Sequence, residues 1–150
     1  MRGFLIRWQP LKKRMYSPFY FYFQLRYDNK LSESKLVENI KGWLKEFKEL
    51  QEKKKVSYEN SDSFPWIDLT LLNANFYDSR IKDNSIGQCN LIAVVGSKNL
   101  QHPTETIESR YLQYVNLLKE IADLLNWELI DEETEDGIED YVVYNPRIKE

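Results

Sequence analysis

The densest group of reactive side chains in the sequence is a run of carboxylates near its end. Within thirteen residues it contains eight acids and no base: Glu128, Asp131, Glu132, Glu133, Glu135, Asp136, Glu139 and Asp140. Like charges at this density repel one another and destabilise a compact state. Three roles suit such a run, namely a solvated surface that maintains solubility, a cation site, or a docking surface for a basic macromolecule.

The spacing of these acids does not fit a calcium-binding EF-hand loop. Such a loop places oxygen ligands at positions 1, 3 and 5, a glycine at position 6 and a bidentate glutamate at position 12. With Gly137 at position 6, position 12 falls on Val143, whose side chain carries no oxygen. A weaker calcium site stays open as an alternative, but we predict neither a metal nor a cofactor.

Aromatic residues flank the acidic run and favour the docking interpretation. Aromatic anchors combined with long-range attraction between opposite charges are typical of fast, tight protein interfaces. The predicted partner-binding residues are Asp131, Glu132, Glu133, Glu135, Asp136, Glu139, Asp140, Trp127, Tyr141 and Tyr144. We expect their partner to be a basic protein.

Other candidates for chemistry are isolated in the sequence. His102 is the one histidine, and no residue can be assigned as its catalytic partner. Cys89 opens an apolar stretch, so we predict a buried small hydrophobe rather than a nucleophile. Gly96 and Lys98 follow a predicted strand, but Ser97 separates them and the phosphate-loop pattern is absent. The sequence therefore predicts a binding protein and no enzyme.

Charge is segregated along the chain. Residues 1–60 carry fourteen Lys and Arg against seven Asp and Glu, whereas residues 61–150 carry seven against seventeen. The net charge is −3, and a pI of about 5.4 opposes binding to nucleic-acid phosphates. The RNP pattern of RNA-recognition domains is also absent. We predict no nucleic-acid partner.

Composition and hydropathy predict the class of protein and its compartment. The 150 residues are 42% hydrophobic and 30% charged, with one cysteine, which excludes an internal disulfide framework. No apolar run reaches the ~18–20 residues of a membrane span. Residues 1–8 hold too short an apolar run for a signal peptide. We predict one cytoplasmic domain with no membrane partner, and the oligomeric state stays open.

Apolar periodicity predicts the elements that position these residues. Alternation predicts strands over residues 4–8, 19–27, 66–74, 89–95, 127–130 and 141–144. The strands at 66–74 and 89–95 are expected to pair as a hairpin, and the last two to pair around the turn at Asp136 and Gly137. Residues 56–65 are predicted to be a loop by composition.

Spacings of three and four predict two helices. The first begins at an N-cap Ser32 and ends near Lys53, with Trp43 on its buried stripe. The second begins at Pro103 and ends at Asn126. The resulting order is typical of an α+β, ferredoxin-like (split βαβ) domain, with an antiparallel sheet, two helices on one face and extra strand material at the termini.

Because such a fold hosts many activities, the functional hypothesis depends on charge. The leading hypothesis is a small cytoplasmic inhibitor, most concretely an immunity protein or antitoxin that covers the cleft of a basic toxin or nuclease. A phage-encoded inhibitor of a host defence protein fits the same features. The alternatives from other classes are a self-associating domain that buries Tyr20, Tyr22 and Trp66, and a small enzyme with carboxylate-based catalysis.

Overall fold

A computed structural model of the protein describes residues 17–75 and 86–148. In these ranges the elements are β1 (Tyr20–Arg26), β2 (Lys35–Leu36), α1 (Val37–Leu44), β3 (Leu50–Lys54), β4 (Ser57–Asn60), β5 (Ile67–Leu72), β6 (Gln88–Cys89), β7 (Leu91–Ser97), α2 (Ile107–Leu125), β8 (Glu128–Glu133) and β9 (Glu139–Tyr144). The strand predicted at residues 4–8 lies outside the described residues.

The fold is α+β, with a seven-stranded antiparallel sheet and two helices in the described ranges. The strand order is β3-β4-β5-β7-β1-β8-β9, and β2 pairs with β6 in a separate ribbon. The ferredoxin-like split βαβ plan is not confirmed, and the sheet is larger than that plan requires. It is larger partly because residues predicted as a helix end and a loop form the β3–β4 hairpin.

Strand β1 lies near the centre of the sheet and its odd-numbered residues face the core. Phe21, Phe23 and Leu25 are buried, as the two-residue period predicts. The register sets Phe23 beside Val94 of β7 and Asp131 of β8. Buried residues of α1 and α2 belong to the same apolar cluster as this face, so burial of apolar area holds both helices to the sheet.

Helix α2 confirms the second predicted helix, with a shifted start. The Thr106 side chain accepts a hydrogen bond from the backbone N–H of Ser109, and the Ser109 side chain accepts one from the backbone N–H of Thr106, at 3.0 and 2.9 Å. This capping box begins the helix at Ile107, four residues after Pro103. Asn126 ends it, as predicted, in the left-handed conformation with φ of 58°.

The prediction for the first helix was wrong at both ends. Ser32 is no N-cap, since its hydroxyl donates to the Asp28 carboxylate in a turn before β2. The helix ends at Leu44, and the chain then extends into β3, which pairs with β4. Pairing with β4 buries Leu50 and Tyr58, and this tertiary gain outweighs the local helical spacing.

Trp43 in α1 and Trp127 after α2 have opposite environments. Trp43 is 36% exposed, so the prediction that it is buried was wrong. Trp127 follows α2 and is 0% exposed. Its indole N–H donates to the Glu33 carboxylate at 2.7 Å. Of these two rings, Trp127 belongs to the core and Trp43 does not.

We expect Trp127→Ala to destabilise the fold by about 3–5 kcal/mol, because it removes a fully buried ring and leaves a cavity. The matched control, Trp43→Ala, should cost about 1 kcal/mol. Urea unfolding followed by far-UV circular dichroism measures both values. A Trp43→Ala variant as unstable as Trp127→Ala would contradict this assignment of the core.

Candidate functional site: an acidic edge hairpin

The predicted hairpin at the end of the chain is confirmed. Strands β8 and β9 pair antiparallel, and β9 is the terminal strand of the described sheet. The turn is closed by hydrogen bonds from the backbone N–H of Gly137 to the oxygen of Thr134 and from the N–H of Thr134 to the oxygen of Ile138, both 2.9 Å long. Gly137 has a φ of +87°, which glycine adopts without steric cost.

The eight carboxylates of the acidic run differ widely in exposure. Four are exposed near the turn, namely Glu133, Glu135, Asp136 and Glu139. Glu132 and Asp140 are half-buried, while Glu128 and Asp131 are buried. The run is therefore a solvated tip on a buried base, and its members have different physical roles.

Glu128 at the base belongs to a buried ion pair. Its carboxylate lies 3.0 Å from the Arg26 guanidinium, which also donates to the Gln24 side chain at 3.1 Å. A buried charge is tolerated when it is paired and hydrogen-bonded. This carboxylate joins β8 to β1.

Asp131 is 4% exposed and anchors β8 to helix α2. Its carboxylate accepts the Tyr111 hydroxyl at 2.9 Å and the backbone N–H of Glu133 at 3.2 Å. Burial raises the pKa of Asp131 above its ordinary value, although these two hydrogen bonds and the charge of Lys98 act in the opposite direction. Asp131, predicted to contact a partner, thus holds the hairpin from inside.

The three predicted aromatic anchors also differ in exposure. Trp127 is buried, and Tyr144 is half-buried with its hydroxyl donating to the Asp123 carboxylate. Tyr141 is 49% exposed. Ile138 in the turn and Val142 in β9 are also exposed and were missed by the sequence analysis. Val142 follows Tyr141 in the strand, so its side chain faces the opposite side of the sheet. The sequence contained a sign of Ile138 and Val142, because an apolar residue stands directly before and directly after the Glu139–Tyr141 segment.

Lys98 ties the tip of the hairpin to the end of β7. Its ammonium lies 2.5 Å from the Glu135 carboxylate and 5.1 Å from the centre of the Phe21 ring. A cation above an aromatic face is attracted by the ring electrons. The tip is therefore held against the sheet at one point while its other side faces solvent.

We call the exposed surface of this hairpin the docking edge. It consists of Glu133, Glu135, Asp136, Ile138, Tyr141 and Val142. It combines exposed carboxylates with Tyr141 and Val142 of β9, the terminal strand of the described sheet, and with Ile138 in the turn before that strand. Terminal strands of this kind are sites where another chain can add a strand.

The remaining candidates for chemistry occupy other environments. Cys89 is buried, as predicted, and burial raises the pKa of its thiol to about 11, which disfavours the nucleophilic thiolate. His102 is exposed before α2. Within residues 17–75 and 86–148, no group of three or more His, Cys, Asp or Glu could hold a metal ion. No helix of that part of the chain is long and apolar enough to cross a membrane.

Comparison with known proteins provides no family for this chain. No protein-family model, no curated protein and no solved structure matches it. Its function is therefore inferred from the geometry and charge described above.

The buried carboxyl of Asp131 predicts a pH dependence of stability. Because its pKa is raised in the folded state, the folded protein retains a proton that the unfolded chain releases as the pH rises above about 4. Asp131 should therefore lower stability as the pH rises through this window, by about 1.4 kcal/mol for each pH unit of its width. Asp131→Asn should lose this dependence, and it also loses an acceptor for one of the two hydrogen bonds, because an amide has a single acceptor oxygen.

Urea unfolding between acidic and neutral pH measures this difference. Asp136→Asn is the control, since it removes one exposed negative charge from the same hairpin. Parallel pH profiles for the Asp131→Asn variant and the unmodified protein would contradict the role assigned to the buried carboxyl.

Proposed function

We propose that this protein is an inhibitor that binds a basic protein partner through the docking edge. The observation that carries the proposal is that one hairpin presents exposed carboxylates together with exposed apolar residues, Ile138 in the turn and Tyr141 and Val142 in the terminal strand. A purely solubilising surface requires the charges alone. Exposed apolar side chains on an edge strand carry a risk of aggregation, which burial by a partner removes.

The two classes of side chain support different parts of the binding reaction. Burying apolar surface stabilises the complex by roughly 25 cal/mol per Å², and aromatic side chains such as Tyr141 are common interface anchors. Carboxylates such as Glu133 and Asp136 accelerate encounter with a positively charged surface. Together they favour a partner with a cationic rim around an apolar pocket.

The partner class that best fits this chemistry is a toxin or nuclease with a basic cleft. Enzymes that act on nucleic acids need cationic clefts to bind phosphates, and carboxylates displayed on a narrow hairpin can occupy such a cleft in their place. We therefore propose an immunity protein or antitoxin acting in the cytoplasm. A phage-encoded inhibitor of a host defence protein is the alternative with the same surface chemistry.

The proposal narrows the set of contact residues predicted from the sequence. Trp127, Asp131 and Tyr144 are assigned to positioning, because their side chains are buried or bonded within the fold. Glu132, Glu139 and Asp140 make interactions within the chain, and the proposal does not depend on their charges being available. Contact with the partner is assigned to the docking edge.

We also propose that the four strands β5, β7, β1 and β8 constitute a ferredoxin-like core. Their order in the sheet and their antiparallel pairing support this interpretation. Helix α1 lies between β1 and β5 in the sequence, and α2 between β7 and β8. The β3–β4 hairpin is then an insertion, and β9 an addition that carries the docking edge.

Neutralising the docking edge with Glu133→Gln, Glu135→Gln and Asp136→Asn should slow association with the partner by about tenfold at low salt. Of these changes, Glu135→Gln also removes the ion pair with Lys98. The difference should vanish near 1 M salt, where the Debye length falls to about 3 Å. A matched control removes three exposed charges elsewhere, with Glu38→Gln, Glu46→Gln and Glu120→Gln.

The measurement has two stages. The unmodified protein is immobilised, and the proteins that it retains from a lysate are identified by mass spectrometry. Stopped-flow association rates with the purified partner are then measured against salt. A partner whose association is slowed equally by the edge variant and the control, or by neither, would overturn the proposal.

A further inference from the structure

A groove of about 730 Å³ opens at the end of the sheet where β5 begins and β7 ends. The β4–β5 loop forms one wall and the β7–α2 loop the other, and Arg110 and Gln113 of α2 also line it. Its volume lies within the range of clefts that bind small molecules. None of the docking-edge residues lines the groove, so an inference about it is independent of the proposed function.

An exposed aromatic pair forms part of the lining. Trp66 is 47% exposed, and its ring centre lies 5.7 Å from that of Tyr20. Tyr114 fixes the Trp66 backbone from below, because its hydroxyl donates to the Trp66 carbonyl oxygen and accepts the backbone N–H of Ser97. The aromatic surface is thus preorganised, which reduces the entropy lost when a ligand binds.

The close approach of Tyr114 to β7 depends on Gly96. A Cβ atom at this position would lie 2.6 Å from the Tyr114 ring, closer than unbonded carbon atoms can approach. The glycine therefore permits the packing that places Trp66 at the groove.

Two charged residues that line the groove, Arg110 and Glu105, neutralise each other. Arg110 is 4% exposed, and its guanidinium donates to the Ser97 carbonyl oxygen at 3.0 Å and to both Glu105 carboxylate oxygens at 3.2 Å. Glu105 also accepts the backbone N–H groups of Gln101 and His102. The Arg110 Nε–H is buried without a hydrogen-bond partner among the described residues, but Glu105 balances the charge of the guanidinium, so the pair holds the β7–α2 loop in place.

The polar side chains that face solvent here are Asp62, Ser63, His102 and three uncharged amides. The side chains of Asn99, Gln101 and Gln113 are exposed, line the groove, and have no hydrogen bond to the part of the chain that the structure describes. Each amide offers two donors and one carbonyl acceptor. A phosphate needs donors, and an organic cation needs acceptors or ring faces. A lining that offers both donors and acceptors matches hydroxyl groups, which donate and accept.

We propose that this groove binds a neutral saccharide, with one sugar ring stacked on Trp66 and its hydroxyls hydrogen-bonded by Asn99, Gln101 and Gln113. The apolar face of a pyranose ring packs on an aromatic face, while its rim is polar all round. This division matches an indole bordered by amides. The ligand class follows from the combination of the aromatic pair, the Arg110–Glu105 ion pair and the amides, and the Asp62 carboxylate adds an acceptor for hydroxyl groups.

The test titrates the protein with maltotriose, cellotriose and tri-N-acetylchitotriose at up to millimolar concentrations. ATP probes for phosphate binding, and tetramethylammonium probes for binding of an organic cation. Tryptophan fluorescence and saturation-transfer NMR report binding. We expect at least one trisaccharide to bind, and Trp66→Ala to weaken it by about tenfold. The matched control, Trp43→Ala, also removes a partly exposed tryptophan but lies outside the groove lining, and should bind normally.

A second variant keeps the test decisive if Trp66→Ala fails to fold. Gln113→Ala changes an exposed helix residue and should weaken binding by about fivefold, the value of one hydrogen bond. The proposal is overturned if no trisaccharide binds, if binding is unchanged in Trp66→Ala and Gln113→Ala, or if ATP or tetramethylammonium binds and the saccharides do not. The docking-edge variant should retain saccharide binding, so failure here is distinguishable from failure of the proposed function.

Discussion

The packing of helix α2 on strand β1 holds both surface features in place. Tyr111 and Tyr114 lie three residues apart on one helix face, and both pack against the Phe21 ring at 5.5–5.8 Å between ring centres. Beyond that contact their hydroxyls diverge, because Tyr111 donates to Asp131 of the hairpin and Tyr114 to the Trp66 backbone of the groove. One aromatic contact in the core therefore positions two different surfaces.

The acidic hairpin can fold because some of its carboxylates are paired or hydrogen-bonded and the others face water. Arg26 neutralises Glu128, the Tyr111 hydroxyl solvates Asp131, and Lys98 pairs with Glu135. These contacts compensate for the repulsion and burial that the base of the run would otherwise suffer. The remaining exposed carboxylates at the tip face water, where their mutual repulsion is screened by salt and their field can act on a partner.

Features set by local pattern were predictable from the sequence, and features set by distant contacts were not. The alternation of Phe21, Phe23 and Leu25 defines β1, and Gly137 marks the hairpin turn, because both depend on neighbouring residues. Strand β3 was not predicted, because its pairing with β4 overrides the helical spacing of its apolar residues. The groove escaped as well, because loops from β4–β5 and β7–α2 meet only in the folded sheet. Arg110 was the one usable sign of the groove in the sequence, because it is a cation one helical turn before the core residue Tyr114.

Amide hydrogen exchange of the protein alone and bound to its partner tests most directly whether the docking edge is the recognition surface. The account predicts that binding slows exchange of the backbone amides in residues 133–142, where Glu133, Ile138 and Tyr141 would be covered, and that this protection exceeds any change elsewhere. Unchanged exchange in this hairpin, with strong protection in another part of the sheet or helices, would contradict it.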